Sequence, residues 1–112
     1  MTSTPDPLDD TLDLTLTRRL REVIAGAAST EAELRILAEQ GEALARALDA
    51  SIRTSESRLG ALASEPGAEL AEMASELRRV ERFRTELAEV EAALLAFDER
   101  ARTLRGKWLG QS

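Results

Sequence analysis

The sequence predicts an all-α protein: an elongated antiparallel helical hairpin of the coiled-coil type, with an N-terminal helical extension. Three observations carry this. Between Glu69 and Trp108 the large apolar residues recur at gaps of three and four, at Leu70, Met73, Leu77, Val80, Phe83, Leu87, Val90, Leu94, Phe97, Ala101, Leu104 and Trp108. That spacing keeps one stripe on one helical face for about eleven turns, and its narrow width between Glu and Arg flanks is that of a coiled-coil seam. A second stripe of the same kind precedes it, and Ser64-Glu65-Pro66-Gly67 separates the two. A short turn between long helices makes them antiparallel neighbours.

Composition agrees. Of the 112 residues 43% are hydrophobic, but 19 of these are Ala, and only two Phe, one Trp and no Tyr are present. Ala, Leu, Glu and Arg dominate, which favours long helices over sheets and leaves little bulk for a compact interior. With no Cys, disulfides and thiolate metal sites are excluded. The net charge of −6 argues against general binding to nucleic acid or anionic membranes. No apolar run approaches the length of a membrane span, and the polar, acidic start does not read as a signal peptide. The expectation is a soluble cytoplasmic protein.

Taken in order, residues 1–6 carry no apolar pattern and read as a disordered tail. Asp6 then caps a first helix, Pro7 suits its first position, and Asp9 complements its dipole. Leu12, Leu16, Leu20, Val23 and Ala27 share one face, so residues 7–29 form the N-terminal helix or extension. Around Gly26 two readings stand. Thr30 and Glu33 form the pattern of a capping box, which would start a new helix. Yet the apolar face runs on unbroken, and a Gly costs a helix only about 1 kcal/mol relative to Ala. The continuity favours a soft point in one long helix over a break.

The first hairpin helix spans residues 30–64, with Thr30, Leu34, Leu37, Gly41, Leu44, Leu48, Ile52, Ser55, Leu59 and Leu62 on its inner face. Glu31–Arg35, Glu42–Arg46 and Asp49–Arg53 are spaced as stabilising i, i+4 pairs, as is Asp98–Arg102 later in the chain. The turn takes residues 65–67 and the second hairpin helix 68–109, leaving 110–112 as a tail. The stretches Thr30 to Ala63 and Ala68 to Arg105 would each be about 50 to 57 Å long at 1.5 Å per residue.

Catalytic chemistry finds little support. Without His, Cys or Tyr, a nucleophilic Ser would need Lys107, the lone Lys, or a carboxylate as its base. Glu65, Glu69, Glu72 and Glu76 could share one side of a helix as metal carboxylates do, but a solvated acidic face explains them better. No catalytic, cofactor or metal residues are assigned. Arg100, Arg102, Arg105 and Lys107 form a basic end that complements a helix C-terminus, with a docking patch as the alternative.

Val90-Glu91-Ala92-Ala93-Leu94-Leu95-Ala96-Phe97-Asp98, followed by Leu104 and Lys107-Trp108, resembles the end of subunit 2 of the biogenesis of lysosome-related organelles complex 1. Ser29-Thr30-Glu31 with Ile36-Leu37 extends the likeness loosely over residues 28–108. The lysine-rich tail of that family is replaced by Arg here. Arg102-Thr103-Leu104-Arg105-Gly106-Lys107 is also similar to the ending of lysosomal KxDL proteins, although Glu91-Ala92-Ala93-Leu94 stands where their signature would be. The resemblance implies a small coiled-coil subunit of a complex at the cytosolic face of endosomes or lysosomes, acting in vesicle trafficking or lysosome positioning.

The expected mechanism is association without catalysis. Partner-binding is assigned to Leu70, Leu77, Leu87, Val90, Leu94, Phe97, Leu104 and Trp108, with Phe97 and Trp108 as aromatic anchors. The small or polar seam positions Gly41, Ser55 and Thr30 favour other helical subunits as partners, with a homodimer as the alternative. A helical chaperone or secretion partner holding a client segment, or a self-assembling scaffold, are the rival functions.

Overall fold

The computed structural model describes residues 7–110, and side-chain environments over residues 13–110. The expected tail at residues 1–6, the Asp6 cap, the side chain of Leu12 and the last two residues lie outside that description. Three helices follow in order: α1 (Pro7–Ile24), α2 (Glu31–Ser64) and α3 (Leu70–Gly110). No strand occurs among the described residues, and α2 and α3 pack against each other as a helical hairpin. No helix among the described residues is long and apolar enough to cross a membrane.

The region around Gly26 is a break, not the soft point that the continuous apolar face favours. Gly26 adopts φ +112°, a left-handed conformation that continues no α-helix. Its N–H donates to the Val23 carbonyl (3.1 Å) and the Ala27 N–H to the Glu22 carbonyl (2.9 Å). These are the two bonds of a Schellman motif. On the far side of the link, Thr30 Oγ1 accepts from the Glu33 N–H at 3.1 Å, so Thr30 is the N-cap of α2. The second half of the capping box is replaced. The Glu33 carboxylate turns to Arg19 and Ser29 instead of the Thr30 backbone.

At the hairpin turn, the Ala68 N–H donates to the Glu65 carbonyl at 3.3 Å. Pro66 and Gly67 occupy the two central positions, and Gly67 has φ +90°. This is the residue pattern of a type II turn, which needs positive φ at its third residue. α3 then starts at Leu70, with the Glu72 and Met73 N–H groups bonded to the Glu69 carbonyl.

The chain divides into two compact units. One takes the residues up to Leu44 together with those from Val90 on; the other is Ala45–Glu89. In the first, three helices share a core. Leu16, Leu20 and Val23 of α1 pack with Leu34 and Leu37 of α2 and with Phe97, Ala101 and Leu104 of α3. Thus the N-terminal helical extension, α1, folds back as the third helix of this core. Gly41 is buried against both neighbouring helices: a Cβ there would lie 2.5 Å from Leu94 Cδ2 and 3.8 Å from Leu20 Cδ1. The small seam residue at position 41 therefore serves packing within the chain, which removes it as an argument for a heterotypic partner.

The Ala45–Glu89 unit has only two helices. Leu48, Ile52, Ser55 and Val80 are buried between them, while Leu59, Leu62, Met73, Phe83 and Leu87 are half-buried. Arg84 and Glu56 form an ion pair across the helices at 3.2 Å. The Arg82 guanidinium lies 5.4 Å from the Phe83 ring centroid and partly screens that ring.

Candidate interaction surfaces

The eight residues expected to bind partners fall into two sets. Phe97 and Leu104 are buried in the three-helix core, Phe97 to 3% exposure, and Trp108 packs against that core while half-buried. Val90, Leu94 and Leu87 are also half-buried. Phe97 and Leu104 therefore offer no free surface as anchors. Leu70 (81% exposed) and Leu77 (47%) do. They stand seven residues apart on α3, close to two full turns, so both project from nearly the same side of the helix.

Why the leucines stay uncovered follows from helix count. A heptad stripe needs apolar neighbours along its whole width, and a pair of helices covers only one side of each stripe. In the three-helix unit α1 supplies the missing side. The Ala45–Glu89 unit has no third helix, and its apolar surplus emerges at Leu70 and Leu77. Scattered single leucines on a surface are ordinary, but two in one heptad register beside a half-buried Met73 form a patch.

The charged residues resolve into structural pairs and free groups. Arg19 ties the 25–30 link: its guanidinium donates to Glu33 (3.0 and 2.5 Å), to Glu22 (3.1 Å) and to the Ala28 carbonyl (3.0 Å). Ser29 Oγ adds a bond to Glu33 at 2.6 Å. Hydrogen bonds from Arg19 first, and then from Ser29, hold the Glu33 carboxyl down to about 2. Bonds to Glu33 first, and then to Glu22, raise the Arg19 guanidinium above its ordinary range. Arg105 grips Glu31 with two bonds of 2.8 and 3.0 Å, which lowers the Glu31 carboxyl. These forked arginine–carboxylate contacts fix geometry as well as charge. Nothing in the spacing of the sequence marked Arg19 as the partner of Glu33, because the two are brought together by the chain reversal.

The basic end is mostly engaged within the chain. Arg105 holds Glu31 and Arg102 holds Asp98 at 2.7 Å. Arg100 Nε is buried without a hydrogen-bond partner. Of the acidic group, Glu65, Glu69 and Glu72 are exposed, whereas the Glu76 side chain is only 12% exposed and its Oε1 atom has no hydrogen-bond partner. No group of three or more acidic side chains among the described residues is placed to hold a metal ion.

Of the four expected i, i+4 pairs, Glu31–Arg35, Asp49–Arg53 and Asp98–Arg102 form. Glu42–Arg46 is not among the ion pairs of the described residues. Glu42 instead stands on the wall of a groove of about 560 Å³ between α2 and α3 in the three-helix unit. Ala38, Leu94, Leu95 and Ala101 give the groove an apolar lining, Glu91 stands on its α3 side, and no α1 residue lines it. Leu95 is 71% exposed. The arrangement suits an apolar side chain flanked by a cation.

Comparison with protein families, with curated proteins and with solved structures gives no match.

Proposed function

We propose that this protein is a non-enzymatic association subunit that binds helical partner proteins through the uncovered side of its two-helix unit. The observation that carries this reading is the pair of exposed leucines, Leu70 and Leu77, in one heptad register on α3. An apolar face of this kind takes an amphipathic helix, which completes the layer that α1 completes in the other unit. The absence of His, Cys and Tyr from the sequence supports a role without catalysis.

The finer reading, membership of a trafficking complex at the cytosolic face of endosomes or lysosomes, is supported by the resemblance carried by residues 90–108. In this chain, several of those residues (Phe97, Ala101 and Leu104) are also what the three-helix core requires. The seam and the family likeness thus draw on the same positions.

The test is to tag the full chain at native expression and to compare wild type with a Leu70→Ser, Leu77→Ser double variant. Several short helical proteins recovered in constant ratio with the wild type, and lost with the variant while helicity by circular dichroism is unchanged, support a complex subunit. One abundant unrelated client would support the chaperone reading. Identical recovery with both forms would remove the two leucines from the interface.

A further inference from the structure

The outer face of α1 and the α2–α3 groove of the three-helix unit are complementary. On α1, Leu14 (72% exposed), Arg18, Arg21 and Ala25 line one surface patch. Their spacing of four, three and four residues places them on a single side of the helix, pointing away from Leu16, Leu20 and Val23. Arg18 reaches Glu22 only at 3.9 Å and its side chain remains 73% exposed. Arg21 is exposed and has no ion pair among the described residues. Glu22 also lines the patch, but its carboxylate accepts from Arg19 at 3.1 Å, so Leu14 is followed within two helical turns by two cations, of which Arg21 has no ion pair among the described residues.

The groove offers the opposite chemistry. Ala38, Leu94, Leu95 and Ala101 give an apolar bed, with small residues contributed by both helices. Glu42 on α2 and Glu91 on α3 stand on its two sides, both exposed and neither in an ion pair among the described residues. The other two charged lining residues are already satisfied, Asp98 by Arg102 and Arg105 by Glu31. The groove thus carries uncompensated negative charge beside an exposed leucine. Leu14 and Arg18 are four residues apart, as are Leu95 and Glu91, and both pairs span about 6 Å at 1.5 Å per residue.

We propose that the groove accepts the outer face of α1 from a second copy of this chain. Leu14 packs on Leu95 and Ala38, and Arg18 and Arg21 meet Glu91 and Glu42. Both surfaces belong to the same unit of each copy but face opposite sides of it, so the contact joins unlike patches successively and gives a chain of copies. Its charged rim makes it dependent on ionic strength. It is separate from the leucine patch of the two-helix unit, and the two interfaces can fail independently.

Sedimentation velocity of the purified full chain tests it. The wild type should exceed its monomer mass of 12.2 kDa progressively with concentration, and added salt should reverse this. Arg18→Glu with Arg21→Glu, and separately Glu42→Arg with Glu91→Arg, should each weaken association by more than about tenfold while leaving helicity intact. Mixing the two variants in equal amounts should restore it, because each reversed surface then meets its complement. The Leu70→Ser, Leu77→Ser variant should associate as the wild type does. A monomer at every concentration, reversals without effect, a mixture that stays monomeric, or loss of association in the Leu70/Leu77 variant would each overturn the proposal. So would failure of the copies to associate while the groove binds a foreign basic helix.

Discussion

The two units apply one sequence rule and reach different ends. In both, α2 and α3 carry apolar residues at gaps of three and four. Where α1 is present, the stripe from Phe97 to Leu104 is closed off from water and Leu34 and Val23 reach zero exposure. Over Ala45–Glu89 only Leu48, Ile52, Ser55 and Val80 are buried, and Leu70 and Leu77 stay in solvent. A heptad pattern therefore specifies that a face wants a neighbour, without saying whether the neighbour is in the same chain. The number of helices available decides between core and interface.

The largest expected effect separates the two cores. Phe97→Ala should destabilise the protein by about 3–5 kcal/mol, because a fully enclosed aromatic leaves a cavity that its neighbours cannot fill. Ile52→Ala should fall near about 2 kcal/mol, since the half-covered surroundings can collapse or hydrate. Urea denaturation followed by circular dichroism measures both. Equal losses would mean that the two-helix unit is packed as tightly as the other and that its open side is of no consequence.

Much of this architecture is legible in the sequence, and what is not has a physical reason. Pro66-Gly67 marked the hairpin turn, and nearly every residue assigned to the inner face of α2 is buried or half-buried. The break after α1 was signalled by Gly26 and by the Thr30–Glu33 pattern, yet the unbroken apolar stripe argued the other way. It runs on because α1 and α2 line the same core after the chain reverses, so spacing alone carries no mark of the reversal. For the same reason Phe97 and Leu104 read as partner-binding residues. Their apolar character was legible, but the identity of the covering helix was not. The Arg19–Glu33 contact and the free state of Glu42 depend on tertiary placement and left no local signal.

Gly26 sharpens the comparison next. Its φ of +112° lies where an L side chain is strained, so Gly26→Ala should cost about 1–2 kcal/mol. Hydrogen exchange should show the loss mainly in α1, with α2 and α3 amides of the Ala45–Glu89 unit little affected. Uniform acceleration across the chain would mean that α1 does not open as its own element.

Acid should act on the same link. Glu33 is held near 2 against an ordinary value of 4.5. A carboxyl lowered by folding contributes stability that is complete above its unfolded value and is lost as pH falls through the folded one. The stabilisation from Arg19 and Ser29 should thus disappear between about pH 5 and pH 2. Glu33→Gln should lower the melting temperature at neutral pH and flatten its fall on acidification. If the variant and the wild type lose stability in parallel on acidification, the Arg19 contact is not formed in solution.

The smallest expected effect on the isolated chain is at the exposed leucine patch. Leu77 is 47% exposed and lies where no third helix covers α3, so Leu77→Ser should change stability by less than about 0.5 kcal/mol, the range of ordinary surface substitutions. The same change should weaken partner capture, because an apolar side chain on an association face contributes only when the partner buries it. The pairing of a silent effect on folding with a large one on binding is what distinguishes an interface from a core. A loss of stability comparable to that of Ile52→Ala, measured by the same denaturation, would place Leu77 in the core and leave the two-helix unit without its open face.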